Sequence, residues 1–266
     1  MKLFINSLPK SGTHLTIKLV EELGFNFSNV NLSSTSLFGR HQIAKSILRG
    51  SYFGQPCIEV GLDIAACVRK SWIEYSLQST KIQTYSSGHS PYSDALYKIL
   101  VKNNYKIIHI IRDPRDVLLS WAHYVPTIKY HYGYHGLKDL PLEDRIQLIL
   151  HGYESNNFSL ESFPNILQRS LEWINKEDIL IVKFEELVGP KGGGSEEHQI
   201  SKIKEIAGFV DSKNNNFEDI STSLFGGTKV FRKGKIGSWK DELSVELIDE
   251  INSTIKPFIE QFGYQL

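Results

Sequence analysis

The chain has 266 residues, 41% of them hydrophobic and 23% charged, and its 30 basic and 30 acidic side chains cancel. This length can bury a sizeable core. The zero formal charge excludes a global field that would draw in nucleic acid or an anionic membrane, so any affinity for anions must come from local clusters.

Residues 2–8 read as an apolar strand running straight into Pro9, without the long apolar region and cleavage site of a signal peptide. The turn Lys10-Ser11-Gly12-Thr13 follows. A helix over about 12–24 carries Leu15, Leu19, Val20 and Leu23 on one face before Gly24 stops it. Residues 25–60 are mixed and rich in Ser and Asn, with a helix expected near 41–49. Cys57 and Cys67 make no disulfide framework, so a reducing compartment is the default. Residues 64–78 read equally as strand or helix. Tyr92–Asn103 is an expected helix and Tyr105–Ile111 a fully buried strand, and a further helix starts after Asp113. A surface loop is expected over 125–142, rich in Tyr, His, Gly and Pro. Helices over 143–157 and 161–174 and a buried strand over Asp178–Phe184 come next. Pro190 and three consecutive glycines predict a mobile loop over Gly189–Glu197. A helix over 199–209, a polar loop through Asn214–Asn216 and a last helix over Ser244–Phe262, kinked or broken at Pro257, complete the chain. No apolar run is long enough to span a bilayer. Apolar strands alternating with helices predict an α/β fold: a central parallel sheet flanked by helices, in a single domain over residues 1–266. A cytoplasmic enzyme is the expectation.

The turn after the first strand aims several backbone N–H groups and a helix N-terminus at one spot, where Lys10 adds a full charge. Together they suit a phosphate or sulfate. A capped turn with a solvated lysine would explain the same four residues. A nucleoside-triphosphatase loop needs G-x-x-x-x-G-K-[ST] with the hydroxyl on magnesium; here Lys10 precedes Gly12 and no lysine follows it. In Ile110–Trp121, helix initiation accounts for Asp113 as N-cap, Pro114 as first residue and Asp116 as a first-turn carboxylate. It does not account for Arg112, which ends a buried strand, the place where α/β folds bind ligands. Ser120 lies near the same helix face, so Arg112 and Ser120 could grip one phosphate. Val230–Lys240 sets Arg232, Lys233 and Lys235 among Gly234 and Gly237. That is either a basic surface loop or a close backbone approach to an anion. His89, in Gly88-His89-Ser90-Pro91, lies in a short loop before a helix. The five histidines from His109 to His151 show no metal-site spacing.

Taken in order, these segments resemble the cytosolic-type sulfotransferases that use 3′-phosphoadenosine 5′-phosphosulfate (PAPS), over almost the whole chain up to residue 243. Leu8-Pro-Lys-Ser-Gly-Thr13 is similar to that family's 5′-phosphosulfate loop, and Arg112 through Ser120 to its 3′-phosphate motif. Arg232-Lys-Gly-Lys-Ile-Gly-Ser-Trp-Lys240 is similar to its R-K-G-x-x-G-D-W-K segment. Gly88-His89-Ser90-Pro91 sits where the family carries its catalytic histidine, and Lys183-Phe-Glu-Glu-Leu187 resembles its strand-end Y-E-D/E-L segment. Three positions depart from the pattern: Leu15 where a tryptophan often stacks on adenine, Phe184 for the common tyrosine, and Ser238 for the usual aspartate beside Trp239.

The resemblance implies a P-loop-like, PAPS-binding fold, with PAPS as co-substrate, adenosine 3′,5′-bisphosphate (PAP) as its product, and no metal. By position, Lys10, Ser11, Gly12 and Thr13, with His14 beside them, would hold the 5′-phosphosulfate. Arg112, Ser120, Arg232, Lys233 and Gly234 would bind the 3′-phosphate, and Phe184 and Phe231 would complete the nucleotide-binding set. Lys10 and His89 would be the catalytic pair, with His89 as general base. The acceptor would be a hydroxyl or amine of a small molecule, a natural product among the candidates, with neither nucleic acid nor membrane as partner. Tyr124–His135, where Tyr130, Tyr132 and Tyr134 alternate with His131, Gly133 and His135, is the expected acceptor wall, or else a Tyr/Gly loop without that role. Parts of 36–56 would form a lid. Lys240, Ser244, Val245 and Asp249 resemble the family's K-x₃-T-V-x₃-E dimer motif, yet an ordinary helix start at Ser244 explains them as well, so a monomer or weak homodimer is expected. Two other readings are a nucleotide kinase-like phosphotransferase and a non-catalytic nucleotide-binding protein.

Overall fold

The computed structural model describes residues 1–33, 56–129, 131–155, 159–226 and 232–266. In chain order, β1 (Lys2–Ser7), α1 (Thr13–Glu22) and β2 (Asn26–Leu32) come first. A hairpin of β3 (Cys57–Val60) and β4 (Ala66–Arg69) leads into α2 (Lys70–Gln78). Then follow β5 (Thr84–Gly88), α3 (Asp94–Lys102), β6 (Tyr105–Ile111) and α4 (Pro114–Tyr124). The short α5 (Tyr134–Leu137), α6 (Leu142–His151), the paired β7 (Tyr153–Glu154) and β8 (Ser159–Leu160), and α7 (Phe163–Leu171) precede β9 (Ile179–Lys183) and α8 (Phe184–Leu187). The rest is helical: α9 (Glu196–Phe209), α10 (Phe217–Leu224), α11 (Ser238–Glu242) and α12 (Val245–Gln261).

Five strands form one parallel sheet in the order β2-β5-β1-β6-β9. Both faces are covered, which is why the isoleucines of β6 fall on both of them, at 107–108 and 110–111, rather than in strict alternation. Ile108 and Ile110 of β6, with Leu3 and Ile5 of β1, pack under α1, α9 and α10. Phe4 and Ile107 face the opposite way, against the β3–β4 hairpin, α2, α3 and Trp173. A third cluster joins α4, α6, α7 and α12 around Trp121, Phe163 and Ile255. Because the strands are parallel, their carboxyl ends share one edge. The chain leaves β5, β1, β6 and β9 there through His89, Lys10, Arg112 and Phe184.

The parallel sheet, β1, β6 and β9 agree with the sequence reading. The ambiguous 64–78 stretch is both things in turn, strand β4 and then helix α2. Two sheet strands escaped prediction. β5, Thr-Tyr-Ser-Ser-Gly, is polar yet buried, its Ser86 hydroxyl satisfied by Ser28 and Tyr105. β2 is broken by a left-handed Asn29 where its register shifts. The expected loop at 125–142 contains α5 with a buried Leu137. The helix begun at 142 stops at His151 because Gly152 turns left-handed, with φ +77°. α12 continues through Pro257, which lies on its exposed face beside exposed Ser253, so the carbonyl left without a helical N–H faces solvent.

Two further expectations are corrected. Cys57 and Cys67, expected to make no disulfide framework, are joined in a disulfide across the β3–β4 hairpin. The triple-glycine stretch is a packed turn rather than a free loop. Gly192 is buried and its carbonyl accepts Ile236 N–H at 2.9 Å. A Cβ on Gly192 would lie 2.4 Å from the Gly234 carbonyl oxygen, so only glycine lets these two loops meet. The expected helix at 41–49 lies outside the described residues, as does the expected lid within 36–56 apart from Pro56.

Candidate active site

The β1–α1 turn is shaped by two left-handed residues, Lys10 at φ +71° and Gly12 at φ +102°. For lysine that conformation costs about 1–3 kcal/mol and is kept only where surrounding structure imposes it. Ser11 N–H donates to the Leu8 carbonyl at 3.2 Å, and the Gly12 carbonyl accepts Leu15 and Thr16 N–H, starting α1. Phe184, at the end of β9, closes the turn from the side. A Cβ on Gly12 would lie 2.7 Å from its ring. Lys10 Nζ sits 3.9 Å from the centroid of the Tyr124 ring, a cation–π seat, and its pKa is lowered to about 8 by burial and by the neighbouring charges of Arg112 and Arg232. The buried Ser11 hydroxyl has no partner among the described residues.

Arg112 leaves β6 with its guanidinium 4.3 Å from the Phe184 ring centroid. It donates to the Lys235 carbonyl at 2.8 Å and the Lys10 carbonyl at 3.4 Å, and lies 3.5 Å from Asp116. Its buried Nε has no partner among the described residues. Asp113 caps α4 by accepting Arg115 N–H, with Pro114 first in the helix, as expected. Asp116 does more than start the helix. Buried, it accepts Gly237 N–H at 2.8 Å and Trp239 N–H at 3.3 Å, tying the 232–238 loop to Arg112. Glu185 fixes the same corner by accepting Asp113 N–H and the Tyr264 hydroxyl, which gives the Lys183–Leu187 segment a structural role.

His89, just past β5, lies within 2.9 Å of the Ser7 carbonyl through Nδ1. A carbonyl only accepts, so Nδ1 carries the proton and Nε2 is the basic nitrogen. Burial lowers the His89 pKa, the Ser7 hydrogen bond and the Asp63 charge pull it back, and Lys10 lowers it again. The Ser7 hydroxyl links His89 Nδ1 to Thr13 Oγ1, at 3.1 and 2.6 Å, so base and anion turn share one hydrogen-bond chain. Next to His89, the Asn6 side chain both accepts Ser90 N–H and donates to the Ser90 carbonyl, with His109 and Trp173 completing a buried network behind it.

Lys10, Gly12, Thr13, His14, His89, Arg112, Ser120, Phe184, Arg232, Lys233 and Gly234 all line one cavity of about 190 Å³. Ser11 is buried behind that wall, and Phe231 lies outside the described residues. The family model described as the sulfotransferase domain matches residues 1–263. The chain belongs to the sulfotransferase family. It is 24% identical to cytosolic sulfotransferase 12 of Arabidopsis thaliana, over 93% of this chain and 74% of that protein. It is 25% identical to flavonol 4'-sulfotransferase of Flaveria chlorifolia, over 71% of this chain and 63% of that one. The alignment with cytosolic sulfotransferase 17 of Arabidopsis thaliana spans only 57% of that relative's length. Mouse sulfotransferase SULT7A1, solved in complex with PAP, shares the fold at TM-score 0.61 and 18% identity, covering 97% of this chain and 84% of that one. Retinol dehydratase, solved with androsterone and PAP, shares it at 0.59 and 18%, covering 100% and 82%. These likenesses favour a sulfotransferase over a nucleotide kinase.

The sulfotransferase site suits a nucleotide with two anionic ends. Two buried polar atoms, Ser11 Oγ and Arg112 Nε, await acceptors, and an empty hydrogen-bonding capacity of that kind inside a protein is uncommon. Among the described residues, no group of three or more His, Cys, Asp and Glu is placed to hold a metal. Tyr124 and His131 of the expected acceptor wall do line the cavity. Tyr132 instead points its hydroxyl toward the Asp63 carbonyl, and Tyr130 is outside the described residues. Asp63, Val188, Leu224, Phe225 and Gly226, which no sequence motif singles out, also line the cavity. Asp63 reaches it from the β3–β4 turn, held there by Arg169 on the Gly61 and Leu62 carbonyls. Nothing in its local sequence marks it.

Proposed function

We propose that this protein transfers a sulfuryl group from PAPS to a hydroxyl or amine of a small molecule. The observation that carries this reading is the meeting of the Lys10 turn, His89 and the Arg112–Arg232 cations on one cavity from separate parts of the chain. Lys10 and the turn N–H groups would face the 5′-phosphosulfate, and Arg112, Ser120, Arg232, Lys233 and Gly234 the 3′-phosphate. Leu15, Val188, Leu224 and Phe225 give the apolar side that an adenine needs.

In the reaction the acceptor oxygen bonds to sulfur while the bond from sulfur to the bridging oxygen of PAPS breaks, and the electron pair stays with departing PAP. The acceptor proton passes to His89 Nε2. The Lys10 ammonium and the turn N–H groups stabilise the charge that builds on the bridging oxygen. Asp63, His131 and Tyr124 would surround the acceptor. The names of the flavonol sulfotransferase relatives support a small-molecule acceptor, a natural product among the candidates. Two relatives are named cytosolic, which supports a cytoplasmic enzyme, and we propose that it acts as a monomer or weak homodimer; no helix among the described residues is long and apolar enough to cross a membrane. An acceptor screen with PAPS, read by mass, should yield a product heavier by one sulfuryl group. Phosphoryl transfer from labelled ATP, with no sulfuryl transfer to any acceptor, would overturn the reading in favour of a kinase. Tight PAP binding with no turnover on any acceptor would leave only a binding protein.

A further inference from the structure

Glu242, the last residue of α11, stands beside the proposed 3′-phosphate pocket. Its carboxylate takes Arg232 Nη1 on both oxygens at 3.1 Å, Lys233 Nζ on Oε1 at 2.9 Å, and His123 Nε2–H on Oε2 at 2.9 Å. The side chain is only 16% exposed. Both cations assigned to the loop half of the 3′-phosphate grip therefore already hold an anion of the chain's own. Burial would raise the Glu242 pKa, but Lys233, Arg232 and His123 outweigh it and keep the group below the ordinary carboxylate value. It is charged at neutral pH.

The backbone that carries Glu242 is held in place. Gly237 and Trp239 N–H are bound to Asp116, and the Trp239 ring is buried under the Arg115 guanidinium at 4.0 Å. The Glu242 side chain can turn away from Arg232 and Lys233 without moving that backbone. A phosphate that takes Arg232 and Lys233 must either displace this carboxylate or sit beside a like charge, and both weaken its hold. We propose that Glu242 is a built-in competitor for the nucleotide's 3′-phosphate: it gives way as PAPS binds and returns to Arg232 and Lys233 as PAP leaves. The inference rests on the PAPS reading of the cavity. A phosphate wins the exchange because it carries more charge and one more acceptor oxygen than a carboxylate. It wins by less than it would against free cations, so PAP dissociates faster and turnover is spared a slow product release.

The sign of one substitution separates this role from an ordinary positioning ion pair. A residue that merely pre-arranges Arg232 and Lys233 would weaken PAP binding when neutralised; a competitor would strengthen it. Calorimetry with PAP and with adenosine 5′-monophosphate, which lacks the 3′-phosphate, is run on the full-length wild type, Glu242→Gln and Glu242→Ala. PAP should bind both variants about tenfold tighter or more, the change expected for freeing charge-assisted donors. Adenosine 5′-monophosphate should bind all three alike, and stopped-flow PAP dissociation should slow in step. Unchanged or weaker PAP binding in the variants, or equal tightening of both nucleotides, overturns the inference. If the wild type does not prefer PAP to adenosine 5′-monophosphate, the 3′-phosphate reading itself falls and takes the inference with it.

Discussion

The Lys10–Thr13 turn and the Arg232–Gly234 loop would bind opposite ends of one nucleotide, yet they are built in different ways. The turn is mostly backbone, locked between the end of β1 and the start of α1, with Phe184 against Gly12 and the Ser7 hydroxyl joining it to His89. The loop grip is mostly side chain. Its backbone is tied down by Asp116 and Gly192, but its cations are engaged by Glu242. A site made of fixed N–H groups has its geometry before the ligand arrives, which suits stabilisation of a transition state. A site made of long side chains must exchange partners, which suits capture and release.

Substitutions should pull these two roles apart. Lys10→Ala should lower kcat by about 10²–10³, the loss typical of a missing stabiliser of developing charge; steady-state kinetics that find near-wild-type turnover would break the comparison. His89→Ala should cost roughly 100-fold with a hydroxyl acceptor, as removal of a general base does. If that variant keeps full activity, the proton goes elsewhere. Arg232→Ala should raise the PAP Kd and the PAPS KM about tenfold to a hundredfold, the worth of a charge-assisted hydrogen bond, and leave kcat within a few-fold. A fall in kcat without a rise in KM would move Arg232 to the chemical end.

The smallest effect is on pH dependence. Lys10 must be protonated to act, and its pKa in the free enzyme is lowered to about 8, so kcat/KM for PAPS should fall as pH rises through that value. His89 must be neutral to accept a proton, and its pKa lies below the ordinary 6.5, so the acid limb should fall below that value. In kcat at saturating PAPS the alkaline limb should move up, because bound phosphosulfate restores the Lys10 charge. An alkaline limb unmoved by saturation would mean that Lys10 does not face the sulfonated end.

How legible each part was follows from the same contrast. β1, β6 and β9 announce themselves because burial on both faces puts adjacent apolar residues in each, as in Leu3-Phe4-Ile5, Ile107-Ile108 and Ile179–Val182. β5 hides, because its buried Ser86 is satisfied by Ser28 and Tyr105, partners far away in sequence. That the Lys10 turn, Arg112 and Arg232–Gly234 line one cavity could be anticipated, because basic residues set among glycines or at a strand end form short, local patterns. Asp63, Phe225 and Glu242 could not. Their importance comes from where a hairpin, a helix end and a surface helix are set down in space, and their neighbours in sequence carry no trace of it. The same holds for the Gly192–Gly193–Gly194 run, where Gly192 serves a close approach to Gly234 that a local pattern does not reveal.

On the proposed reading, the strand-end turn does the chemistry while the loop holds the nucleotide. The most direct test is the single-turnover rate of sulfuryl transfer at saturating PAPS for Lys10→Ala and Arg232→Ala side by side, with an acceptor found in the mass screen. Arg232→Ala should stay within a few-fold of the wild-type rate, and Lys10→Ala should lose about 100-fold or more, if that reading holds. Equal losses in the two variants, or a Lys10→Ala rate restored by saturating PAPS, would contradict it.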